Sequence, residues 1–316
     1  MTDAALPRTN APEAELTVII VSYNTRELTL KAVETLIANA GSVAMKIVVH
    51  DNASADGSAE AVAQAFPEVE VVAHPENIGF ARANNLVAER VDTEWMLLLN
   101  PDTETHPRAI ENLLAFARAH PEAGITGGRT VFPDGSLNPA SCWRRMTLWS
   151  LFSNAVGLAQ LFPDSELFNR EAMGGWQRDS VREVDIVVGC FLMIPTALWR
   201  KLGGFDPRYF MYGEEADLCL RARKLGYRPM ITPDAQIMHL VGASTAVRAD
   251  KAVAVLRAKA TLVRDHWPPA LAPIGVGLLK FAALTRRIGA AFLPEGERRE
   301  RLLGTWRKRR EWAAGY

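Results

Sequence analysis

The 316-residue chain is short of cysteine, of long apolar runs and of net charge, and each shortage narrows what it can be. Its three cysteines, Cys142, Cys190 and Cys219, are odd in number and scattered. That excludes a disulfide framework, fits a reducing cytoplasm and leaves the three as small buried apolar side chains. The opening MTDAALPRTNAPEAE has no apolar h-region, so 1–15 reads as a disordered lead and not as a signal peptide. The longest uncharged apolar stretch near the end, His266–Leu279, falls short of the roughly 20 residues of a transmembrane helix. Lys+Arg and Asp+Glu both number 36, so bulk charge selects no partner and gives no footprint for nucleic acid. No internal repeat is visible.

What is present is a regular alternation. Leu16–Val21, Lys46–Val49, Val69–Ala73 and Trp95–Leu99 are short apolar, largely β-branched or aliphatic runs that read as buried strands. Between them Arg26–Asn39, Ser58–Phe66 and Phe80–Arg90 carry apolar residues at helical spacing. Such alternation implies βαβ units and a mostly parallel sheet flanked by helices, an α/β fold. Further on, Arg108–His120, Pro195–Leu202 and Ala216–Leu225 read as helices, the last closed by Gly226. The stretch from about 124 to 189 is irregular, and Val184–Ile194 is one long apolar segment. From about Asp250 the chain reads as helical, with breaks at Pro268-Pro269, Pro273 and Pro294. The expected division is 16–249 as the main domain, split into 16–106 and 107–249, with 250–316 as a helical extension.

Several expected strands end in polar clusters, and ligands of open α/β sheets bind outside the carboxyl ends of strands. Asp51, with Asn52 behind it, can accept a hydrogen bond from a nucleobase imide or a ribose hydroxyl, or else form an Asx-turn. The segment 75–85 (PENIGFARANN) joins a glycine turn to a helix start, where backbone N–H groups and Arg82 can receive a diphosphate; the same residues suit a capped polar loop. Asn100-Pro101-Asp102 offers a carboxylate for a hard divalent cation, or a turn in which Asp is a cap. Glu214, Glu215 and Asp217 follow an aromatic loop; one of them can act as a general base, while acids at a helix start are also favoured by the helix dipole. His239 can complete a cation site with Asp102 if the fold brings them together, although a lone histidine is more often structural.

Taken in order, VSYN at 21–24, DNASADGS at 51–58, ENIGFARANN at 76–85, LLLNPDTE at 97–104, GGFDPRYFMYGEEADLCLRARKLGYR at 203–228 and HLVGAST at 239–245 resemble the family-2 glycosyltransferases of the GT-A fold. The nearest likeness is to bacterial rhamnosyltransferase-like members that act on cell-surface glycans. The resemblance implies an inverting transfer of a sugar from a dTDP- or UDP-sugar donor to a glycan or polyprenyl-linked acceptor, with Mg²⁺ or Mn²⁺ as cofactor. It makes Asp51 the reader of the pyrimidine base, with Ser22, Tyr23 and Asn24 lining that pocket. Asn52, Asn77, Gly79, Arg82, Asn84 and Asn100 fall in the donor-binding segments. Asp102 and His239 become the metal residues, Glu215 the catalytic base, and Glu214, Asp217 and Arg221 acceptor-side or supporting residues. Two positions depart from the family: Asn100 stands where many relatives have Asp, and Glu215 replaces the usual catalytic Asp. These departures keep open a degenerate nucleotide-sugar-binding protein as an alternative. A dinucleotide oxidoreductase, the other fold that starts with βαβ units, lacks support because no G-x-G-x-x-G follows the first strand.

From Lys280 to the end there are ten Lys/Arg and four Asp/Glu, a net of +6 on an otherwise acidic chain. With Trp306 and Trp312 beside this basic stretch, the tail reads either as an interfacial segment on an anionic inner leaflet or as a solvated appendage. The expected location is cytoplasmic, with the tail reaching the inner face of the plasma membrane.

Overall fold

The computed structural model describes residues 14–240 and 248–316. The lead at 1–13 and the last five residues of HLVGAST lie outside them. The chain runs β1 (Leu16–Ser22), α1 (Arg26–Ala38), β2 (Met45–Asp51), α2 (Ser58–Ala65), β3 (Glu70–Ala73), α3 (Phe80–Ala88), β4 (Trp95–Leu99) and β5 (Thr103–Thr105). Then come α4 (Ala109–Ala119), β6 (Thr126–Val131), β7 (Cys142–Trp143), α5 (Leu148–Ala155), α6 (Leu158–Leu161), β8 (Arg182–Glu183), β9 (Ile186–Val187) and β10 (Phe191–Pro195). The remainder is α7 (Thr196–Leu202), α8 (Glu214–Lys224), β11 (Met230–His239), α9 (Arg248–His266), α10 (Ala272–Ala290), α11 (Glu297–Arg307) and α12 (Arg309–Ala314).

The main sheet has the order β3-β2-β1-β4-β10-β6-β11-β5, with β8 also paired to β11. Its first four strands are parallel; beyond β4 it is mixed, because β10 runs antiparallel to both β4 and β6. Every residue of β1 is buried, and its neighbours are covered on both faces. Alternation along the strands sends Ile19, Val48, Met96 and Leu98 into one apolar core and Val18, Val49, Leu97 and Leu99 into another on the opposite face. This explains why these strands read as unbroken apolar runs. Glu15 already belongs to the sheet: it donates to Ala44 O and accepts from Trp95 N.

The apolar segment Val184–Ile194 is broken into β9 and β10 by the turn through Gly189. α8 starts two residues earlier than its apolar pattern indicates, at Glu214, so the three acids occupy its first turn. Gly226 follows α8 with φ +95°, the left-handed stop its position predicts.

The C-terminal helices are no solvated appendage. They share a core with α5, in which Leu151, Val263, Val276, Leu279, Ala283 and Trp312 meet. Trp312 is fully buried and donates from Nε1 to Thr305 O, and Trp306 packs against the same cluster. Trp312 is therefore enclosed in the helical core, and Trp306 is half-buried against it. Tyr316 closes the chain against Tyr209, ring centroids 5.2 Å apart, and its hydroxyl lies 3.4 Å from Met211 O. Among the described residues no helix is long and apolar enough to cross a membrane.

Candidate active site

The carboxyl ends of β1 and β2 are adjacent in parallel register, Ser22 beside Asp51. Their loops lock together: Asn24 N donates to Ser54 Oγ, Ala55 N donates to Asn24 Oδ1, and Arg26 N donates to Asp56 Oδ2. Asn24 and Ala53 both take positive φ, 51° and 68°, a conformation that persists only where the surroundings hold it. Asp51 Oδ1 accepts from Ser54 N at 2.9 Å, and Oδ2 is buried without a partner. A buried acceptor left open is costly, so Asp51 Oδ2 has unused capacity to accept a hydrogen bond. Tyr23, 41% exposed, stands on the rim. The Ser22 hydroxyl is engaged with Thr25 and Thr29 at 3.0 Å each, so it braces the loop from beneath.

Asn52 extends this edge. Its Nδ2 donates to Asn77 Oδ1 at 2.9 Å, its Oδ1 accepts from Ile78 N, and Asn77 Oδ1 also accepts from Gly79 N. Asn52 and Asn77 thus shape the 74–79 loop. Gly79 is required there: its φ is +83° and a Cβ would lie 2.5 Å from Phe210 O. Arg82, expected at a diphosphate, is exposed on α3 and donates to Pro207 O at 3.3 Å. Asn84 is buried on the inner face of α3 and donates to Phe80 O, with its Oδ1 unpartnered. The helical period turns these two residues to different sides of α3.

After β4 the chain turns through Asn100 into Asp102. Asn100 N donates to Cys190 O, and Asn100 O accepts from Thr103 Oγ1. Antiparallel pairing of β5 with β11 sets His239 opposite Thr103, beside Asp102. The imidazole Nε2 lies 3.3 Å from Asp102 Oδ1, both side chains are buried, and His239 Nδ1 has no partner. Burial favours the neutral ring, whereas Cys190 and the Asp102 carboxylate favour the protonated one and prevail, so a cation must displace the Nε2 proton before that nitrogen can bind it. Two neighbouring ligands of one cation, each bound at about 2.1 Å, stand about 3 Å apart. The pair therefore fits a shared divalent ion with one oxygen and one nitrogen ligand. Among the described residues no cluster of three His, Cys, Asp or Glu side chains able to enclose a metal exists, and a pair of protein ligands leaves coordination positions for water or a bound molecule. That is the usual situation of Mg²⁺ or Mn²⁺ held with a diphosphate.

The acids of α8 separate into distinct roles. Glu215 is half-buried, and its Oε2 accepts from Gly213 N at 3.2 Å. Burial raises its pKa, as a base working near neutral pH needs. Glu214 is buried with Oε2 unpartnered, and burial together with the Glu215 charge raises its pKa further. Asp217, expected as an acceptor-side or supporting residue, makes structural contacts: Oδ2 accepts from Arg221 Nε at 2.7 Å, and Oδ1 pairs with His266 Nε2 at 2.8 Å. Arg221 completes the latch by donating to Leu202 O and Gly204 O. All three guanidinium nitrogens of Arg221 and both Asp217 oxygens are thus engaged within the protein.

The turn after β9 gathers these pieces, and no polar signature in the sequence announces it. Cys190 touches Asn100 through its carbonyl and His239 through its side chain. Gly189 lies beside Glu215 and Phe80: a Cβ built on it would stand 3.8 Å from Glu215 Cβ and 3.5 Å from the Phe80 ring, at ordinary contact. On the other flank, Phe80 N donates to Phe210 O, tying the base loop to the 209–213 loop that starts α8. Tyr212 in that loop has φ 73°.

Known proteins share these features. A family model described as Glycosyl transferase family 2 matches residues 17–184. The N-acetylglucosaminyl-diphospho-decaprenol L-rhamnosyltransferase of Mycobacterium tuberculosis (strain ATCC 25618 / H37Rv) is 29% identical over 215 residues, 64% of this chain and 68% of that one. Rhamnosyltransferase WbbL of Escherichia coli (strain K12) is 26% identical over 234 residues, 70% of this chain and 82% of its own length. Among solved structures, the mannosyltransferase PcManGT from Pyrobaculum calidifontis, in complex with GDP-Man and Mn²⁺, superposes with a TM-score of 0.57 at 20% identity. It covers 96% of this chain and 84% of that one, a likeness of fold. With more than half its length matched by that family model, on a mixed sheet of this topology, the chain belongs to glycosyl transferase family 2.

Proposed function

We propose that the protein transfers a rhamnose-like sugar from a thymidine or uridine diphosphate donor to a hydroxyl of a lipid-linked or cell-surface glycan, and meets that acceptor at a membrane surface. The observation that carries the reading is the approach of His239 Nε2 to Asp102 Oδ1, two residues remote in sequence that join at the carboxyl end of β4. Asp51 Oδ2 accepts the imide N–H of the pyrimidine, and Tyr23 covers the base. Asp102 and His239 hold Mg²⁺ or Mn²⁺, which when bound neutralises charge on the diphosphate. Glu215 removes the proton of the acceptor hydroxyl as that oxygen bonds to the anomeric carbon. The bond to the diphosphate breaks in the same displacement, the nucleoside diphosphate leaves with the electron pair, and the anomeric configuration inverts. The relatives' printed names support rhamnose and a diphospho-lipid acceptor.

The test is a thermal-shift screen of dTDP-rhamnose, UDP-sugars and GDP-sugars with and without Mn²⁺, followed by a transfer assay with the donors that bind. Cation-dependent stabilisation by dTDP-rhamnose together with turnover is the expected result. Binding without turnover under any cation makes the protein a nucleotide-sugar-binding relative, and the absence of any nucleotide-sugar binding overturns the reading.

A further inference from the structure

α10 presents two unlike faces. Gly275, Val276, Leu279, Ala282, Ala283 and Ala290 are turned into the protein. Opposite them Ile274, Phe281 and Ile288 recur every seventh residue and are 52%, 42% and 53% exposed; Phe292, just past the helix, is 86% exposed. At 100° per residue, three positions spaced by seven stay within about 40° of one another, so they form one rib along the helix. α5 lies beside α10: Thr285 Oγ1 donates to Ala155 O, and Arg286 donates to Asn154 Oδ1. α5 exposes Trp149 and Phe152 on its own outer side. Large exposed apolar side chains collected on two packed helices differ from the single ones scattered over ordinary surfaces.

The charge carried by α10 itself has one sign. α10 contains Lys280, Arg286 and Arg287 and no carboxylate at all. Lys280 and Arg287 are also seven apart, so both flank the rib on the same side, and neither joins an ion pair among the described residues. A helix with an apolar outer rib and an exclusively cationic flank matches the boundary between acyl chains and anionic headgroups.

We propose that the outer face of α10, with the neighbouring face of α5, docks the protein on a bilayer containing anionic lipid. The proposal rests on the membrane-surface reading above and deepens it by assigning the docking face, which lies on α10 and α5 and not on the buried Trp312 or the half-buried Trp306. The rib enters the interface while Lys280 and Arg287 meet the phosphate headgroups.

The experiment is co-sedimentation of the full chain with phosphatidylglycerol/phosphatidylcholine vesicles and with pure phosphatidylcholine vesicles. Two variants are compared with the wild type, Phe281→Ser/Ile288→Ser and Lys280→Glu/Arg287→Glu, each checked for an unchanged melting temperature. The wild type should bind the anionic vesicles at least about tenfold more tightly than the neutral ones, and either variant should lose about tenfold or more of that binding. Transfer to a water-soluble acceptor should be unchanged, since none of these residues touches the site. Wild-type binding that both variants retain overturns the docking face while leaving membrane association standing. No binding to either vesicle overturns both, but not the sugar transfer, which the soluble assay reports. Variants that only convert a dimer into a monomer assign the rib to a second copy of the chain and overturn the bilayer proposal.

Discussion

Two buried aspartates, Asp51 at the end of β2 and Asp217 in the first turn of α8, show how differently the two sides of the molecule use the same group. Asp51 satisfies one oxygen from its own loop and leaves the other open. Asp217 has both oxygens taken, by Arg221 and by His266 from α9. Burial works against ionisation of Asp217, yet His266 and Arg221 hold its carboxyl below the usual range. An unspent acceptor at a strand end is available to a ligand, whereas a fully spent one fastens helices together. The same criterion separates Glu215, with one oxygen on Gly213 N, from its neighbour two residues along.

The largest effect expected from this contrast is on catalysis. Glu215→Gln keeps the shape and removes the base, so transfer should fall by roughly 10²–10⁴-fold while donor binding by calorimetry stays the same. Because burial raises the Glu215 pKa, the acid limb of the wild-type kcat/KM profile should lie above the ordinary carboxylate range. Wild-type turnover in the variant removes Glu215 from the role of base.

Asp217→Ala should do the reverse. It leaves His266 and Arg221 buried without their partner, which costs about 3–5 kcal/mol of stability. Urea unfolding should show the midpoint falling at constant m-value, with the KM for donor unchanged where the variant remains folded. A large change in donor KM with unchanged stability contradicts the latch.

A third measurement concerns His50, one residue before Asp51. It is fully buried and neither ring nitrogen has a partner, and burial with the nearby His74 depresses its pKa to about 4. The folded state therefore keeps His50 neutral while the unfolded chain protonates near pH 6.5. Its contribution is intact above 6.5 and is lost as pH falls toward 4, up to about 3 kcal/mol. His50→Leu should flatten the stability profile over that window, and an unchanged profile would place the acid sensitivity elsewhere.

The two sides were also unequally legible in the sequence. The parallel half of the sheet was readable because both its faces are buried, which writes β1, β2 and β4 as apolar runs, and because Asp51 and Asp102 follow those runs directly. The pairing of Asp102 with His239 was expected only conditionally. β11 gave no strand signal: Pro233 and Asp234 sit inside it, at the register shift between Thr232 and Gln236. Gly189 and Cys190 carry no polar signature that marks a site, and Cys190 joins the β4 turn through its backbone carbonyl. The C-terminal helices looked like a free basic tail because charge dominates their composition. Burial there depends on Trp312, Val263 and Val276 meeting across helices, which no local pattern records. The partners of Asp217 were hidden for a related reason: an acid at a helix start looks the same whether its partner is a substrate or a histidine 49 residues away.

The smallest expected effect comes from the position where the chain departs from its relatives. Asn100 holds the β4 turn through its backbone, by N–H to Cys190 O and by its carbonyl from Thr103, so its side chain is free to vary without disturbing that turn. Asn100→Asp adds one negative charge near Asp102. A like charge strengthens the hold on a divalent cation but repels the diphosphate when no cation is present. In a water-filled cleft, where the effective dielectric approaches that of water, such a charge about 4 Å away is worth about 1 kcal/mol, a several-fold change. The Mn²⁺ concentration for half-maximal transfer should therefore drop several-fold, and donor affinity in EDTA should weaken by a similar factor. Both shifts must appear together: a cation requirement that does not move in Asn100→Asp means that the metal is held away from the β4 turn, and Asp102 and His239 then meet only as an ion pair.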